Sequence, residues 1–404
     1  MSTSLLYHGF GIRGYQYQKT EYLDGQVIFH VDQQRQHCRC SACGCDRIKL
    51  RGMVSRLLRH VPIAGKAVWI DLTIPRVECL HCGLVRQVKV PLADPRRRYT
   101  HAFARYALEL SRHMTIKDVA NHLGASWDTI KEIQKSHLAK HYAKPRLKHL
   151  RRIAIDEIST RKGHVYLTVV LDLDRGEVVF VGDGKGADAL LPFWKRLRSS
   201  HAQVKAVAID MSPAYLKAVE EHLPEADVVF DRFHIVKLLN DKLSQLRRAL
   251  YRQAKDDLQK DVLKGTRWLL LKHPENLDES RDEKSRLEEA LQLNESLSVA
   301  YYLKEDLRQL WEQPHRTAAR NFVTSWYLRA MESGIAALQQ FARTLAGGLF
   351  GIMNWFKHPI STSPLEGVNN KIKTMKRQAY GFRDQEFFKL KIYALHQSKY
   401  ALIG

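Results

Sequence analysis

Two copies of the pattern Cys-x-x-Cys-Gly constrain the start of the chain more than any other feature: Cys40-Ser41-Ala42-Cys43-Gly44 and Cys79-Leu80-His81-Cys82-Gly83. A two-residue spacer lets both sulfurs of a tight turn face one ion. The glycine that follows permits the positive φ such a turn needs. The 35 residues between Cys43 and Cys79 carry strand patterning, clearest in the alternation of Val68-Trp69-Ile70-Asp71-Leu72-Thr73-Ile74. The arrangement expected is a zinc ribbon with a knuckle at the tip of each of two hairpins. Cys40, Cys43, Cys79 and Cys82 would close a tetrahedral Zn2+ site with no open position, which makes the metal structural. All six cysteines fall between Cys38 and Cys82, a clustering that suits a metal better than a disulfide framework. Cys38 and Cys45 are spare, and either could replace a first-knuckle ligand.

A chain of 404 residues is too long for one core, so several domains are expected. Lys and Arg number 65 against 43 Asp and Glu, a net charge of +22. A field of that sign attracts polyanions, and counterion release favours nucleic acid. No apolar run approaches the ~18 residues that a membrane span needs. The first residues lack a basic start followed by an apolar stretch, so the expected location is the cytoplasm, in association with the nucleoid.

The chain reads as five segments. Residues 1–90 form the zinc-ribbon domain. Residues 91–148 form a helix-turn-helix DNA-binding domain, entered through a basic linker marked by Pro91, Pro95 and Arg96-Arg97-Arg98. Within it, Thr115–Leu123 reads as one helix, Gly124 as the turn, and Ser126 as the cap of a second helix from Trp127 to about residue 139. Ala120 is small enough for close packing, and Ile130 is buried between the helices. The second helix would offer Trp127, Asp128, Thr129 and Lys131 to the major groove, with Arg96, Arg97 and Arg98 on the backbone. A plain helical packing unit is the alternative.

Residues 149–240 alternate strands and helices. The strands are Arg152–Ile158, His164–Leu171, Glu177–Gly182, Val204–Ile209 and Asp227–Phe230, with helices from Asp188 and Pro213. This is a mixed α/β sheet. Residues 241–350 are almost wholly amphipathic helix, and residues 351–404 are again basic and helical. The fold class is therefore multidomain, α+β and α/β.

Asp156 lies in the first of these strands, Asp210 ends the fourth, and Glu366 starts a helix in Ser363-Pro364-Leu365-Glu366-Gly367-Val368-Asn369-Asn370-Lys371. Carboxylates at strand ends can converge at a sheet edge, as a pair of divalent cations requires. Spacing alone leaves competitors: Glu157, Asp172, Asp174 and Asp183. Asp172 and Asp174 read better as a hairpin turn, and Glu157 projects to the opposite face from Asp156.

Together these pieces resemble one family. The paired knuckles, the helix-turn-helix, Ile155-Asp156-Glu157, Ile209-Asp210-Met211-Ser212, Asp231-Arg232-Phe233-His234, and Glu366-Gly367-Val368-Asn369-Asn370-Lys371-Ile372-Lys373 running into Arg377-Gln378-Ala379-Tyr380-Gly381-Phe382-Arg383 are similar to bacterial insertion-sequence transposases of the ISL3 family. The resemblance covers nearly the whole chain. It implies an RNase H-like catalytic domain, residues 149–240 and 351–404, interrupted by the all-helical insertion 241–350. The implied catalytic triad is Asp156, Asp210 and Glu366, holding Mg2+ or Mn2+. Asp231, His234, Lys373 and Arg377 are implied as supporting residues. Lys373 stands two helical turns after Glu366 on the same face. His234 has the alternative of packing or capping a helix. The chain departs from the family in Ser361-Thr362-Ser363-Pro364, where an Asn often precedes the glutamate.

The function implied is DNA transposition: binding terminal inverted repeats, cleaving phosphodiesters at transposon ends and joining the 3′ hydroxyl to target DNA. Two ends must meet, so a homodimer or larger assembly on double-stranded DNA is expected. The competing functions are an RNase H-like nuclease without strand transfer and a zinc-containing DNA-binding regulator.

Overall fold

A computed structural model describes residues 5–161, 165–254 and 257–396. The chain forms two compact units. One holds the described residues up to Ala143 and those from Met375 onward; the other spans Lys144–Thr374.

The first unit opens with a five-stranded sheet: β1 (Tyr15–Leu23), β2 (Gln26–Gln33), β3 (Ile48–Ile63), β4 (Lys66–Cys79) and β5 (Val85–Gln87). The order is β1-β2-β4-β3, with β5 added to β4. Strand β4 is central because its alternation is strict. Val68, Ile70, Leu72 and Ile74 point to one face and are fully buried, each contributing about 1.5–3 kcal/mol of hydrophobic burial. The two-residue turn Asp24-Gly25 joins β1 to β2 with both residues at positive φ, as the twist of a tight hairpin requires. Pro75 lacks an N–H for the ladder, and β3 is irregular opposite it between Leu50 and Met53.

Strand β3 is an edge strand with free backbone groups, and this corrects the expected linker. The stretch carrying Arg96–Arg98 is strapped onto β3: the Arg59 N–H donates to the Arg98 carbonyl (2.8 Å) and the Thr100 N–H to the Arg59 carbonyl (2.9 Å). The Arg56 guanidinium also donates to the carbonyls of Asp94 and Arg97. An unpaired strand edge recruits such a partner readily.

Helices α1 (His101–Leu110), α2 (Ile116–Leu123) and α3 (Trp127–Tyr142) follow. Thr115 and Ser126 cap α2 and α3 by accepting from the Asp118 and Thr129 N–H groups, and Gly124 ends α2 in the left-handed conformation. Val119, Ala120, Leu123 and Ile130 are buried between the helices, which is the helix-turn-helix expected.

In the second unit the sheet order is β10-β9-β6-β7-β8. Strands β6 (Arg152–Arg161), β7 (Val165–Asp172) and β8 (Glu177–Asp183) form an antiparallel meander, while β9 (Ala206–Ile209) and β10 (Asp227–Phe230) run parallel to β6. The expected strand start at His164 lies outside the described residues. The β7–β8 connection is the hairpin expected of Asp-x-Asp-Arg-Gly, with Asp172 accepting from the Asp174 N–H and Gly176 at positive φ. Helices α4 (Leu191–Ser200) and α5 (Pro213–His222) connect the later strands. A helical block follows: α6 (Arg232–Gln253), α7 (Asp257–Gly265), α8 (Glu283–Gln292), α9 (Glu295–Arg308), α10 (Arg316–Glu332), α11 (Ala336–Gly347) and α12 (Leu349–Met353). Its apolar side chains are continuous with those of the sheet in one core.

Helix α13 (Ser363–Gln378) returns to the sheet, and α14 (Gln385–Tyr393) ends the described chain. Here the structure departs from the expected grouping of residues 351–404. Phe387, Leu390 and Ala394 recur at helical spacing and bury against Ile130, Ile133 and Leu138 of α3. Asp384, the α14 cap, pairs with Lys131 and Lys135 of α3 at 2.9 and 3.2 Å.

Candidate active site

The two knuckles bring four sulfurs together. Cys40, Cys43, Cys79 and Cys82 each place Sγ within 4.8 Å of the others. The Cys40–Cys82 and Cys43–Cys79 separations are 3.7 and 3.5 Å, close to the ~3.8 Å edge of a tetrahedron built on Zn–S bonds of about 2.3 Å. The donor set therefore fits zinc. Backbone N–H groups aim at the first sulfur of each knuckle. Those of Cys43 and Ala42 hold the Cys40 thiol below its ordinary range, and that of Cys82, helped by His81, draws Cys79 down to about 6. The second knuckle sits at the β4–β5 hairpin as expected. The first instead closes on itself, with the Cys40 N–H donating to the Cys45 carbonyl (2.9 Å). Cys38 is buried in the sheet core and Cys45 lies outside the four-sulfur cluster.

In the second unit, parallel pairing sets two aspartates side by side. Ala154 faces Ala208 in the β6–β9 register, and Asp156 and Asp210 each lie two residues beyond that pair, Asp210 just past the end of β9. The first turn of α13 adds Glu366. Asp156, Asp210 and Glu366 line one open cleft of about 400 Å³, together with Glu157, Phe233, His234, Asn369 and Lys373. Burial pushes the Asp156 carboxyl above its usual range; the Asp210 charge adds to this and His234 opposes it. A half-buried carboxylate beside a second one, with a third exposed on the same cleft, is an oxygen donor set that fits hard divalent cations.

The supporting residues fall into distinct places. His234, in the first turn of α6, lines the cleft. Asp231 does not. It is buried one strand beyond Asp210, and its Oδ1 accepts from the Thr362 N–H at 3.1 Å, while the Thr362 carbonyl accepts from the Glu366 N–H at 2.9 Å. Asp231 thus anchors the start of the glutamate's helix. Lys373 lines the cleft, and Arg377 is exposed in the last turn of α13. Glu157, expected on the opposite face, also lines the cleft, where its Oε2 accepts from the Tyr215 hydroxyl at 3.2 Å. Burial raises that phenol to about 12.

Asn369 was not singled out as a site residue in the sequence. It is buried, one turn after Glu366, and its Nδ2 donates to Asp156 Oδ2 at 2.9 Å; its Oδ1 has no hydrogen-bond partner. The available signal was its i+3 spacing from the glutamate.

In the DNA-binding region Trp127 and Asp128 are exposed at the start of α3 and Thr129 is partly covered. Lys131 lies under Trp127 and is occupied by Asp384. Arg97 pairs with Glu132 at 3.0 Å, while Arg96 and Arg98 are exposed.

Comparison with known proteins agrees across all three parts. Residues 153–392 match the transposase family of ISL3, residues 88–138 the helix-turn-helix domain of that family, and residues 36–82 the zinc finger of the IS204/IS1001/IS1096/IS1165 transposases. The transposase for insertion sequence element IS1001 of Bordetella parapertussis is 36% identical over 358 residues, 88% of each chain. The chain belongs to the ISL3 family of insertion-sequence transposases. The transposase for IS1557 of Mycobacterium tuberculosis is 28% identical over 377 residues, 86% of this chain and 83% of that one. Among solved structures, the strand transfer complex of the Drosophila P element transposase aligns with 74% of this chain and 92% of that one, at 14% identity and a TM-score of 0.39. The ISL3 transposase is accordingly a DNA-cleaving and strand-transferring enzyme with a DDE domain and a helix-turn-helix domain. No helix among its described residues is long and apolar enough to cross a membrane.

Proposed function

We propose that the cleft of Asp156, Asp210 and Glu366 is the catalytic centre of transposition and holds Mg2+ or Mn2+. The observation that carries this reading is the convergence of three carboxylates from β6, the end of β9 and α13 on one cleft. The meander β6–β7–β8 flanked by parallel β9 and β10 supports an RNase H-like fold, with the block α6 to α12 inserted between the second aspartate and the glutamate.

When bound, divalent cations supply the charge that activates a water or 3′ hydroxyl and stabilises the leaving oxygen. The protein's own part is positioning and electrostatics. Asn369 fixes the Asp156 carboxylate by donating to Oδ2. Asp231 fixes the helix that carries Glu366 through Thr362. His234 and Lys373 offset charge at the cleft wall, and Lys373, with Arg377 beyond it, contacts the DNA backbone. Water attacks phosphorus at a transposon end and breaks the P–O bond to leave a 3′ hydroxyl. That hydroxyl then attacks a target phosphodiester and displaces a target 3′ oxygen.

The zinc ribbon and helix-turn-helix bind the terminal inverted repeats, with Trp127, Asp128, Thr129 and Lys131 on the recognition helix and Arg96, Arg97 and Arg98 on the backbone. A homodimer or larger assembly holds the two ends. The deciding experiment compares wild type with Asp210→Ala on duplex carrying the flanking repeats, with magnesium. The variant should bind the duplex normally and neither cleave nor join it. Wild-type cleavage by the variant would remove the assignment.

A further inference from the structure

The first unit contains a second cleft, of about 660 Å³, between β3 and the start of α3. Five arginines line it: Arg56 and Arg59 from β3, and Arg96, Arg97 and Arg98 from the strap; no acidic side chain is in the lining. Ser126 and Thr129, at the N-terminal end of α3, form part of another wall.

Arg59 is the informative member. It is 7% exposed. One Nη2 bond, 2.7 Å to the Leu123 carbonyl, caps the end of α2, and the guanidinium lies over the rings of Trp69 and Phe103. Its Nε has no acceptor. Capping α2 accounts for one donor of a buried cation, not for the orphan donor or for Arg96 and Arg98 on the same space, whereas Arg56 and Arg97 also serve the strap carbonyls and Glu132. A buried guanidinium with an unused N–H is undercompensated, and an anion placed against it is favoured. Burial also holds this arginine below the usual arginine range, a bias that an anion would reverse. The first-turn N–H groups of a helix add partial positive charge at the same wall.

We propose that this cleft seats one backbone phosphate of the bound DNA, so that the N-terminal sheet and the recognition helix clamp the same phosphodiester. The inference rests on the DNA-binding reading above and deepens it. Its consequence is that the sheet sets the register of α3 on the duplex, because phosphate contacts fix orientation while base contacts specify sequence.

The test uses full-length protein and duplex carrying the terminal repeat. Arg59 has structural partners, so the decisive variants are the exposed Arg96→Gln and Arg98→Gln, singly and together, with Arg59→Lys as a third. The double variant should bind more weakly with a salt slope reduced by about one, since each phosphate contact contributes ~0.9. A scan of single methylphosphonate substitutions should find a position that weakens wild type several-fold and leaves the double variant unaffected. Inorganic phosphate at millimolar concentration should compete weakly at most; full competition would point to a small-anion site and overturn the clamp. An unchanged salt slope with the same methylphosphonate pattern in all variants would overturn it too, while leaving DNA binding intact. Failure of wild type to bind any duplex would instead overturn the parent reading, and the clamp with it.

Discussion

Replacing Asn369 with Ala isolates one contact in the cleft. The amide donates to Asp156 Oδ2 across 213 residues of sequence, at 2.9 Å. A hydrogen bond to a charged group contributes about 1.5–3 kcal/mol net. If the Asp156 carboxylate must keep its orientation through the reaction, losing that amount lowers the cleavage rate roughly 10- to 150-fold. The fold should survive, because Val368 and Ile372 are buried on their own account and because removing Oδ1 also removes an unsatisfied buried acceptor. Asn369→Asp should do worse, since it sets a like charge against a carboxylate that burial already raises. The assay is the initial cleavage rate of labelled terminal-repeat duplex over a range of magnesium, with mobility shift for DNA binding and thermal denaturation for folding. Wild-type rates in Asn369→Ala at every magnesium concentration, with folding unchanged, would refute the reasoning.

Zinc should be present at about one equivalent, be lost in Cys79→Ser and be retained in Cys45→Ser, as elemental analysis and the thermal transition can show. Lys391 is fully buried over Phe382 and Phe387, and burial lowers it from 10.5 to about 8. Its folded value lies below its unfolded one, so the folded state binds fewer protons between pH 8 and 10.5 and stability rises with pH there. Below pH 8 the penalty is at its full size, about 3 kcal/mol, and Lys391→Met should recover much of it and abolish the rise in chemical denaturation. Gly351→Ala would place a Cβ 2.5 Å from the Phe230 ring. It should destabilise by about 1–3 kcal/mol, with partial rescue by Phe230→Leu in a double-mutant cycle.

What was legible in the sequence is local chemistry. Thr115, Gly124 and Ser126 announce the helix-turn-helix because caps and left-handed turns act within three or four residues. The knuckles are legible for the same reason. Asp156 and Asp210 stand at recognisable positions, but only the parallel pairing of β6 with β9 brings them to one cleft. Asn369 on Asp156 and Thr362 on Asp231 join residues 213 and 131 positions apart. Such pairs depend on how α13 docks, which no periodicity encodes. The strap was misjudged because Pro91, Pro95 and three arginines look like a solvated linker; the free edge of β3 that captures it becomes visible only once the sheet order is known. The packing of α14 on α3 was missed similarly, and α14 was grouped with the catalytic domain, since an apolar stripe declares that it will be buried but not against what.

The distance between Asp210 and Glu366, 156 residues in sequence, poses a geometric problem that β10 solves. Helix α12 leaves the helical block and lies close on Phe230 because Gly348 and Gly351 carry no side chain there. The Asn354 amide then donates to the Val228 carbonyl at 2.9 Å, and Asp227 takes Lys357 and His358 at 2.6 and 2.9 Å. Asp231, next in line, takes the Thr362 N–H one turn before Glu366. Asn354, Lys357, His358 and Thr362 are thus all held by β10 or the residue after it, and β10 is the neighbour of the strand that presents Asp210. The glutamate's position is referenced to the sheet and not to the far end of the helical block. Changes of length within α7 to α10 should consequently move Glu366 little, whereas a change at Gly351 or Asp231 acts on it directly.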